Sequence, residues 1–112
     1  MPFTTAEKNT MLDAVTGIDG VRLHSGDPGA AGTSNPLGAG ISSATFSAAS
    51  AGRRYLSSDV TVTGLTPSQS VTYFSAWRGA TFVGSGQIVS GSNAADGAGE
   101  FVLDASTTYL TV

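Results

Sequence analysis

Short runs of alternating hydrophobic and polar residues, separated by turn residues, make up most of the chain. In VRLH, at 21–24, the alternation places Val21 and Leu23 on one side of a strand. Similar runs follow at 44–48, 53–57, 59–65, 71–77, 80–86, 87–91, 100–104 and 107–112. Many short strands with Ser, Gly, Asn and Asp between them are typical of antiparallel folds. The pattern predicts a mainly β protein that forms a small antiparallel β-sandwich or barrel.

One short α-helix is predicted before the strands, over residues 4–16. Thr4 and Glu7 have the spacing of a capping box, in which both side chains satisfy exposed main-chain amides. Gly17 is placed to end the helix. Apolar residues recur at helical spacing, and the buried side is predicted to hold Met11, Ala14, Val15 and Ile18.

The whole chain, 1–112, is predicted to be one domain. It comprises an N-terminal helical arm over 1–18 and a β domain over 19–112. The β domain contains a long loop, 26–40, with five glycines and two prolines. A loop of this length is usually functional or mobile, and is rarely only a connection.

The segment VTVTGLTPSQSV, at 60–71, resembles the connection between the two sheets of fibronectin type III domains and related sandwiches. Leu65 and Pro67 precede the next strand, which opens at Val71. Pro67 suits a corner because it has no N–H to donate to a sheet. The resemblance implies an immunoglobulin- or fibronectin-like sandwich.

Composition argues against several classes of function. Charged residues make up 12% of the chain, the formal net charge is −3, and the five basic residues are scattered. Such a chain lacks the basic stripe that tracks nucleic acid, and no hydrophobic run approaches the roughly 20 residues of a membrane-spanning helix. We expect no secretory signal peptide, because MPFTTAEKNT has no apolar run behind a basic start. There is no cysteine, which rules out thiol catalysis and disulfide bonds.

The same composition favours assembly. A surface rich in Gly, Ser and Thr and poor in charge is covered by neighbours at low cost, since few charged groups lose water. We therefore expect self-association or incorporation into an assembly.

His24, the only histidine, is followed three residues later by Asp27. One histidine without cysteine cannot supply the three or four ligands of a zinc site. A His-Asp-Ser arrangement is conceivable, although no GxSxG turn accompanies it. Asp27-Pro28-Gly29 is also turn chemistry, because Asp bonds its own backbone and Pro presets φ. We favour the turn, with the His24 ring bonding loop backbone, and predict no catalytic residue, metal site or cofactor.

Two arginines, Arg53 and Arg54, precede Tyr55 in the segment AGRRYL. Either arginine could clamp a carboxylate, stack on an aromatic ring or anchor an interface. The alternative is a pair straddling the sheet, one outward and one bonded to the long loop. Trp77 and Tyr73, on one face of the strongest strand, are predicted to be core residues.

One resemblance spans nearly the whole chain. Its elements are KNTMLDAV at 8–15, LHSGDPGAAGTSNPL at 23–37, TFSAASAGRRYL at 45–56 and VTYFSAW at 71–77. This order resembles a family of small tailed-bacteriophage virion structural proteins of the head-decoration or minor tail type. Its members open with a short helix and carry a Leu-His-Ser/Thr-x-Asp-Pro-Gly motif.

The resemblance implies a non-enzymatic virion component, made in the host cytoplasm. The first hypothesis is a capsid decoration protein that binds and reinforces the major capsid lattice as a homo-oligomer, with a trimer as one arrangement. The alternatives are a minor tail or tail-fibre-base protein and a carbohydrate-binding adsorption module, which an exposed Trp77 or Tyr109 would support. A small hydrolase is the least favoured. The candidate interface comprises His24, Asp27, Pro28, Gly29, Asn35, Pro36, Leu37, Arg53 and Arg54.

Overall fold

A computed structural model of the protein describes residues 3–38, 40–88 and 94–111. The described residues form one α-helix and eight strands, all paired antiparallel. Their bounds are α1 Thr5–Asp13, β1 Gly20–His24, β2 Ser42–Ser43, β3 Arg53–Tyr55, β4 Val60–Val62, β5 Tyr73–Arg78, β6 Thr81–Gln87, β7 Phe101–Leu103 and β8 Tyr109–Thr111. The predicted mainly β sandwich with a short N-terminal helix is confirmed.

The sheets share one hydrophobic core. A four-stranded sheet has the order β2-β1-β5-β6, and two smaller sheets pair β3 with β8 and β4 with β7. Leu23 lies opposite Phe74, and Phe74 lies opposite Gly86, so these residues occupy one face of the large sheet. Leu103 and Leu110, from the two small sheets, belong to the same buried cluster. The smaller sheets thus form the second layer of the sandwich.

Helix α1 begins as predicted but ends earlier. The Thr4 hydroxyl accepts the Glu7 main-chain N–H at 3.2 Å, which satisfies one exposed amide of the first turn. The last helical residue is Asp13, whereas the prediction extended the helix to residue 16. The residues after Asp13 therefore do not follow the helical spacing assumed for the predicted buried side. Leu12, absent from the predicted stripe, is the buried helical residue, whereas Ala14 is exposed.

Several predicted strands are shorter or displaced. Residues 44–48 do not form a strand; Phe46 makes a single bridge to Leu56, and the strand in this region is the two-residue β2. The 60–71 connection carries the chain from the β4–β7 sheet into the large sheet, as its resemblance to fibronectin domains implies. Part of the predicted strand at 87–91 lies outside the described residues.

The C-terminal strand β8 pairs with β3 within the chain. Tyr109 lies opposite Tyr55, and Thr111 lies opposite Arg53. This β3–β8 sheet approaches β6 closely because Gly86 has no side chain. A Cβ there would lie 2.6 Å from the Phe74 ring and 3.1 Å from the Tyr109 carbonyl oxygen.

Candidate interaction sites

The glycine-rich loop folds back onto the outer face of the large sheet. We call residues 26–38 the cap. Its two ends are fixed by main-chain hydrogen bonds, from Ser25 N to Asn35 O at 3.0 Å and from Leu37 N to Leu23 O at 2.9 Å. Gly32 rests on the Phe82 ring so closely that a Cβ would lie 2.3 Å from it. The cap is therefore an ordered part of the fold and not a free loop.

His24 joins the cap to the sheet through both ring nitrogens. Nδ1 lies 2.8 Å from the Ser34 carbonyl oxygen and Nε2 lies 2.7 Å from the Ser75 hydroxyl. A carbonyl only accepts, so Nδ1 carries the proton, and the Ser75 O–H donates to Nε2 of the neutral ring. The Trp77 indole N–H in turn donates to the Ser75 oxygen at 2.7 Å. The donor and the acceptor of each hydrogen bond in the series Trp77–Ser75–His24–Ser34 are therefore determined.

Enzymes with a serine nucleophile also contain a histidine hydrogen-bonded to that serine, which it activates as a base. Here both side chains have zero solvent exposure, so no substrate reaches the Ser75 oxygen while the cap is in place. Burial lowers the pKa of His24, the hydrogen bond to Ser34 raises it, and the positive charge of Arg22 lowers it. The net effect favours the neutral ring that the hydrogen bonds require.

Asp27 has a structural role, whereas the sequence analysis also considered a catalytic role for it in a His-Asp-Ser arrangement. Its Oδ1 accepts the Gly29 N–H at 2.8 Å, closing the Asp-Pro-Gly turn, which needs the positive φ of 78° at Gly29. The main-chain carbonyl of Asp27 accepts from the Asn35 side-chain amide at 3.1 Å. The predicted turn and the predicted bonding of His24 to loop backbone are both confirmed.

His24 and the cap residues of the candidate interface differ in exposure. His24 and Pro28 are buried, and Leu37 is half-buried against the core. A partner can therefore contact the cap only through its exposed rim, which includes Asp27, Gly29, Asn35 and Pro36. The buried residues act by holding this rim in place.

The two arginines straddle β3. Arg54 turns inward and is bonded not to the long loop, as one reading of the sequence had it, but to other carbonyls. Its Nε donates to Ser47 O at 3.0 Å, and its Nη1 donates to Leu12 O and Val15 O near the end of α1. Since the last turn of α1 contains no basic residue, Arg54 supplies the positive charge at the C-terminal end of the helix.

Arg53 turns outward and is held by two tyrosines. Its guanidinium carbon lies 4.3 Å from the centre of the Tyr109 ring, and its Nη1 donates to the Tyr55 hydroxyl at 3.3 Å. The two tyrosine rings are themselves in contact, with centroids 5.3 Å apart and planes tilted by 56°. The hydrogen bond to Tyr55 raises the pKa of Arg53, as do its electrostatic interactions with both tyrosines.

The candidate residues do not meet at one site. His24, Ser75 and Trp77 share the outer face of the large sheet, under the cap. The β3–β8 sheet lies against the other face, at Gly86. The cap rim and Arg53 are therefore two separate surfaces on opposite sides of the large sheet.

Sequence reasoning missed the partners of both sites. Ser75 is one of many serines, and nothing in its neighbourhood marks it as the partner of His24. Tyr109 is 56 residues from Arg53 along the chain, so only the strand register brings them together. Trp77 and Tyr73 were expected in the core; Trp77 is buried, with an exposure of 9%, whereas Tyr73 is half-buried.

A cleft of about 520 Å³ is lined mainly by hydroxyl-bearing side chains, with Asp19 and Asp59 at its walls. Within the described part of the chain, no three potential metal-ligating side chains come together, and no helix has the length and hydropathy needed to cross a membrane.

Comparisons with protein-family models, with curated proteins and with solved structures give no match. What the chain does must therefore be inferred from its residues and their geometry.

Proposed function

We propose that the chain is a non-enzymatic structural component of a tailed-bacteriophage particle. The favoured role is a capsid decoration protein that binds the major capsid protein and reinforces its lattice, as a homo-oligomer in the virion. The resemblance of residues 23–37 to the Leu-His-Ser/Thr-x-Asp-Pro-Gly motif of such proteins motivates this proposal.

The hydrogen bonding of this motif is the observation that best supports the proposal. The two ionisable side chains of the motif build a fixed shape, with His24 bonded at both nitrogens and Asp27 closing a turn. A motif whose side chains shape the fold favours a protein that functions by presenting a surface to a partner. Assembly into a particle would also add stability that a small core provides only in part.

The low charge of the chain agrees with this role. Only 12% of the residues are charged, so a neighbouring subunit can cover much of the surface without removing water from many charges. A minor tail or tail-fibre-base protein would have the same need, and remains the alternative location in the particle.

A carbohydrate-binding adsorption module is less well supported. Sugar rings stack on exposed aromatic faces, but Trp77 is buried and packs against Phe82, with ring centroids 5.5 Å apart. Tyr109 is half-buried, and Arg53 occupies one face of its ring. These contacts weigh against either residue as a sugar platform.

Antibody-gold electron microscopy on intact phage particles tests the proposal. The antibody is raised against the folded chain and is first shown to bind it in solution. We expect gold spread over the head. Gold confined to the tail would favour the alternative location, and particles that stay unlabelled would contradict a surface role in the virion.

Point variants test whether the cap rim makes the contact. Ala31 is exposed on the cap, so A31R should fold normally while placing a large cation on the rim. If the rim docks on the particle, A31R will bind particles more weakly than A98R, a matched change at another exposed alanine. Equal binding of the two variants would place the contact elsewhere.

A further inference from the structure

The five basic side chains of this acidic chain differ in what they contact. Arg54 and Arg78 donate to main-chain carbonyls beside α1, Arg78 through its Nε to Thr16 O at 2.8 Å. Arg22 is half-buried, with its Nε enclosed. Lys8 and Arg53 remain, and within the described residues neither has a carboxylate partner.

The aliphatic stem of Lys8 lies beside the residue that precedes Arg53. The Lys8 Cδ lies 3.3 Å from the position that a Cβ on Gly52 would take, and Gly52 directly precedes Arg53. The Gly52 N–H donates to the Asn9 side chain at 2.9 Å, which fixes α1 against this turn. We call Lys8, Arg53, Tyr55 and Tyr109 the Arg53 surface.

The Arg53 surface is ordered before any partner arrives. The guanidinium lies over Tyr109 and is bonded to Tyr55, so little side-chain freedom is left to lose on binding. Guanidinium groups bind carboxylates through two parallel hydrogen bonds, and tyrosines add apolar contact area. Arg and Tyr are also the residue types that contribute most to protein interfaces.

The positive charges of Lys8 and Arg53 indicate which class of partner this surface binds. Two cations are too few to follow a phosphate backbone, and the chain as a whole carries −3. A second copy docked with a two-fold axis through this surface would bring Lys8 and Arg53 near their own equivalents, and the like charges would repel. A carboxylate beside an aliphatic side chain would complement the surface.

We infer that the Arg53 surface is a docking site for an acidic segment of another protein. A Glu or Asp of that segment binds the guanidinium of Arg53 with support from Lys8, and an adjacent aliphatic side chain lies against the tyrosines. The inference concerns the chemistry of the partner segment and holds whether or not the chain belongs to a phage particle.

Nuclear magnetic resonance titration of the ¹⁵N-labelled chain tests this. The probes are acetyl-Glu-Leu-Glu-Glu-Leu-Glu-amide, its Lys-for-Glu counterpart and a twelve-residue oligothymidylate. The acidic peptide should shift the Arg53 Nε–H resonance and the amides of 53–55 and 109–111 in a saturable way. Neither other probe should shift them.

Two matched variants separate a built site from general attraction. R53Q and R22Q each remove one positive charge, on different faces of the molecule. R53Q should weaken binding of the acidic peptide about fivefold, the size of one good exposed charge pair, and R22Q should leave it unchanged. R53K should resemble R53Q, because an ammonium lacks the planar fork.

Three results would overturn the inference. Equal weakening by R53Q and R22Q would indicate non-specific charge attraction. Shifts of the same resonances by the oligonucleotide would indicate a phosphate site. Shifts at these residues on dilution without any peptide would identify a second copy of the chain as the occupant.

Discussion

His24 is buried because each of its ring nitrogens has a partner. A neutral imidazole needs one acceptor and one donor, and Ser34 O and the Ser75 hydroxyl provide them. Protonation would place a second N–H against Ser75, which already accepts from Trp77. The Ser75 hydroxyl proton would then lose its acceptor, so a charged His24 is incompatible with this arrangement.

Stability should therefore fall in weakly acidic solution. The pKa of His24 is lowered from 6.5 in the folded chain, so the unfolded chain binds the proton more readily. The free energy of unfolding should be at its plateau above pH 6.5 and decline as the pH falls from 6.5 towards the lowered pKa. Urea unfolding of the chain and of H24Q between pH 7.5 and 5 measures this.

The variant should lose the pH dependence in that window, although its stability will be lower throughout. Asp104, whose pKa is lowered from 3.8 by hydrogen bonds from Ser106, changes stability only as the pH falls below about 5, so it does not interfere. An equal slope in H24Q and in the unmodified chain would show that another group causes it.

Ser75 is the residue on which the network depends most. S75A leaves the His24 Nε2 and the Trp77 N–H without partners in a region closed to water, and each such group costs about 1–3 kcal/mol. We expect S75A to lower the free energy of unfolding by about 3 kcal/mol. S85A, at an exposed serine of β6, is the matched control and should change it by less than about 0.5 kcal/mol. Similar urea midpoints for the two variants would contradict the network.

At the scale of elements, the cap is held by close packing as well as by hydrogen bonds. Gly32 has φ of 71° and lies against Phe82, so an added methyl group meets both backbone strain and a ring. G32A should raise the cap and lower the unfolding free energy by about 2 kcal/mol. The single tryptophan, Trp77, reports this directly, since its emission should shift to longer wavelength as water enters.

The control for G32A is G97A. A Cβ at Gly97 would meet no atom within 4 Å, and the residue does not have a positive φ. That variant should keep the emission and the stability of the unmodified chain. Unchanged Trp77 emission in G32A would mean that the cap does not shield the indole.

Helix α1 depends on a strand residue for its C-terminal end. R54M removes the donors to the carbonyls of Leu12 and Val15 while keeping an apolar stem against the core. Hydrogen bonds from a charged group contribute about 1.5–3 kcal/mol, so we expect a loss of about 2 kcal/mol. Hydrogen exchange in α1 should also accelerate. R53M, which removes the outward arginine, should leave α1 unaffected, and equal acceleration in both would contradict the cap role of Arg54.

The helix and the strands show what a sequence pattern can specify. Val21 and Leu23 were placed correctly because strand alternation depends only on local geometry. The end of α1 was misplaced because the carbonyls of Leu12 and Val15, at the end of the helix and just beyond it, are bound by Arg54, more than 35 residues away. Contacts of this kind depend on register, which no local pattern encodes.

At the scale of the whole molecule, the same distinction applies to the sites. The Asp27 turn was predictable because an Asp-Pro-Gly run bonds its own backbone. The closing of the loop into a cap was not, because it depends on Ser75, Trp77 and Phe82 from two distant strands. The pairing of Arg53 with Tyr109 likewise requires the C-terminal strand to return to β3.

These observations describe a small sandwich with two preformed surfaces. The cap rim lies on one side of the large sheet, and the Arg53 surface belongs to the β3–β8 sheet on the other. A chain with two ordered surfaces on opposite sides can bridge two neighbours, which suits a component of an assembly. This picture requires above all that the cap be closed in the isolated chain.

Native-state hydrogen exchange of the cap amides measures that directly. The amides of Ser25, Ser34 and Leu37 donate to Asn35, Pro28 and Leu23 carbonyls. A closed cap predicts protection of all three that approaches the protection of β1 and β5, so that they open only with a large part of the fold. Exchange of these three amides at the rate of an unstructured peptide, with β1 and β5 still protected, would show a mobile loop and contradict the account.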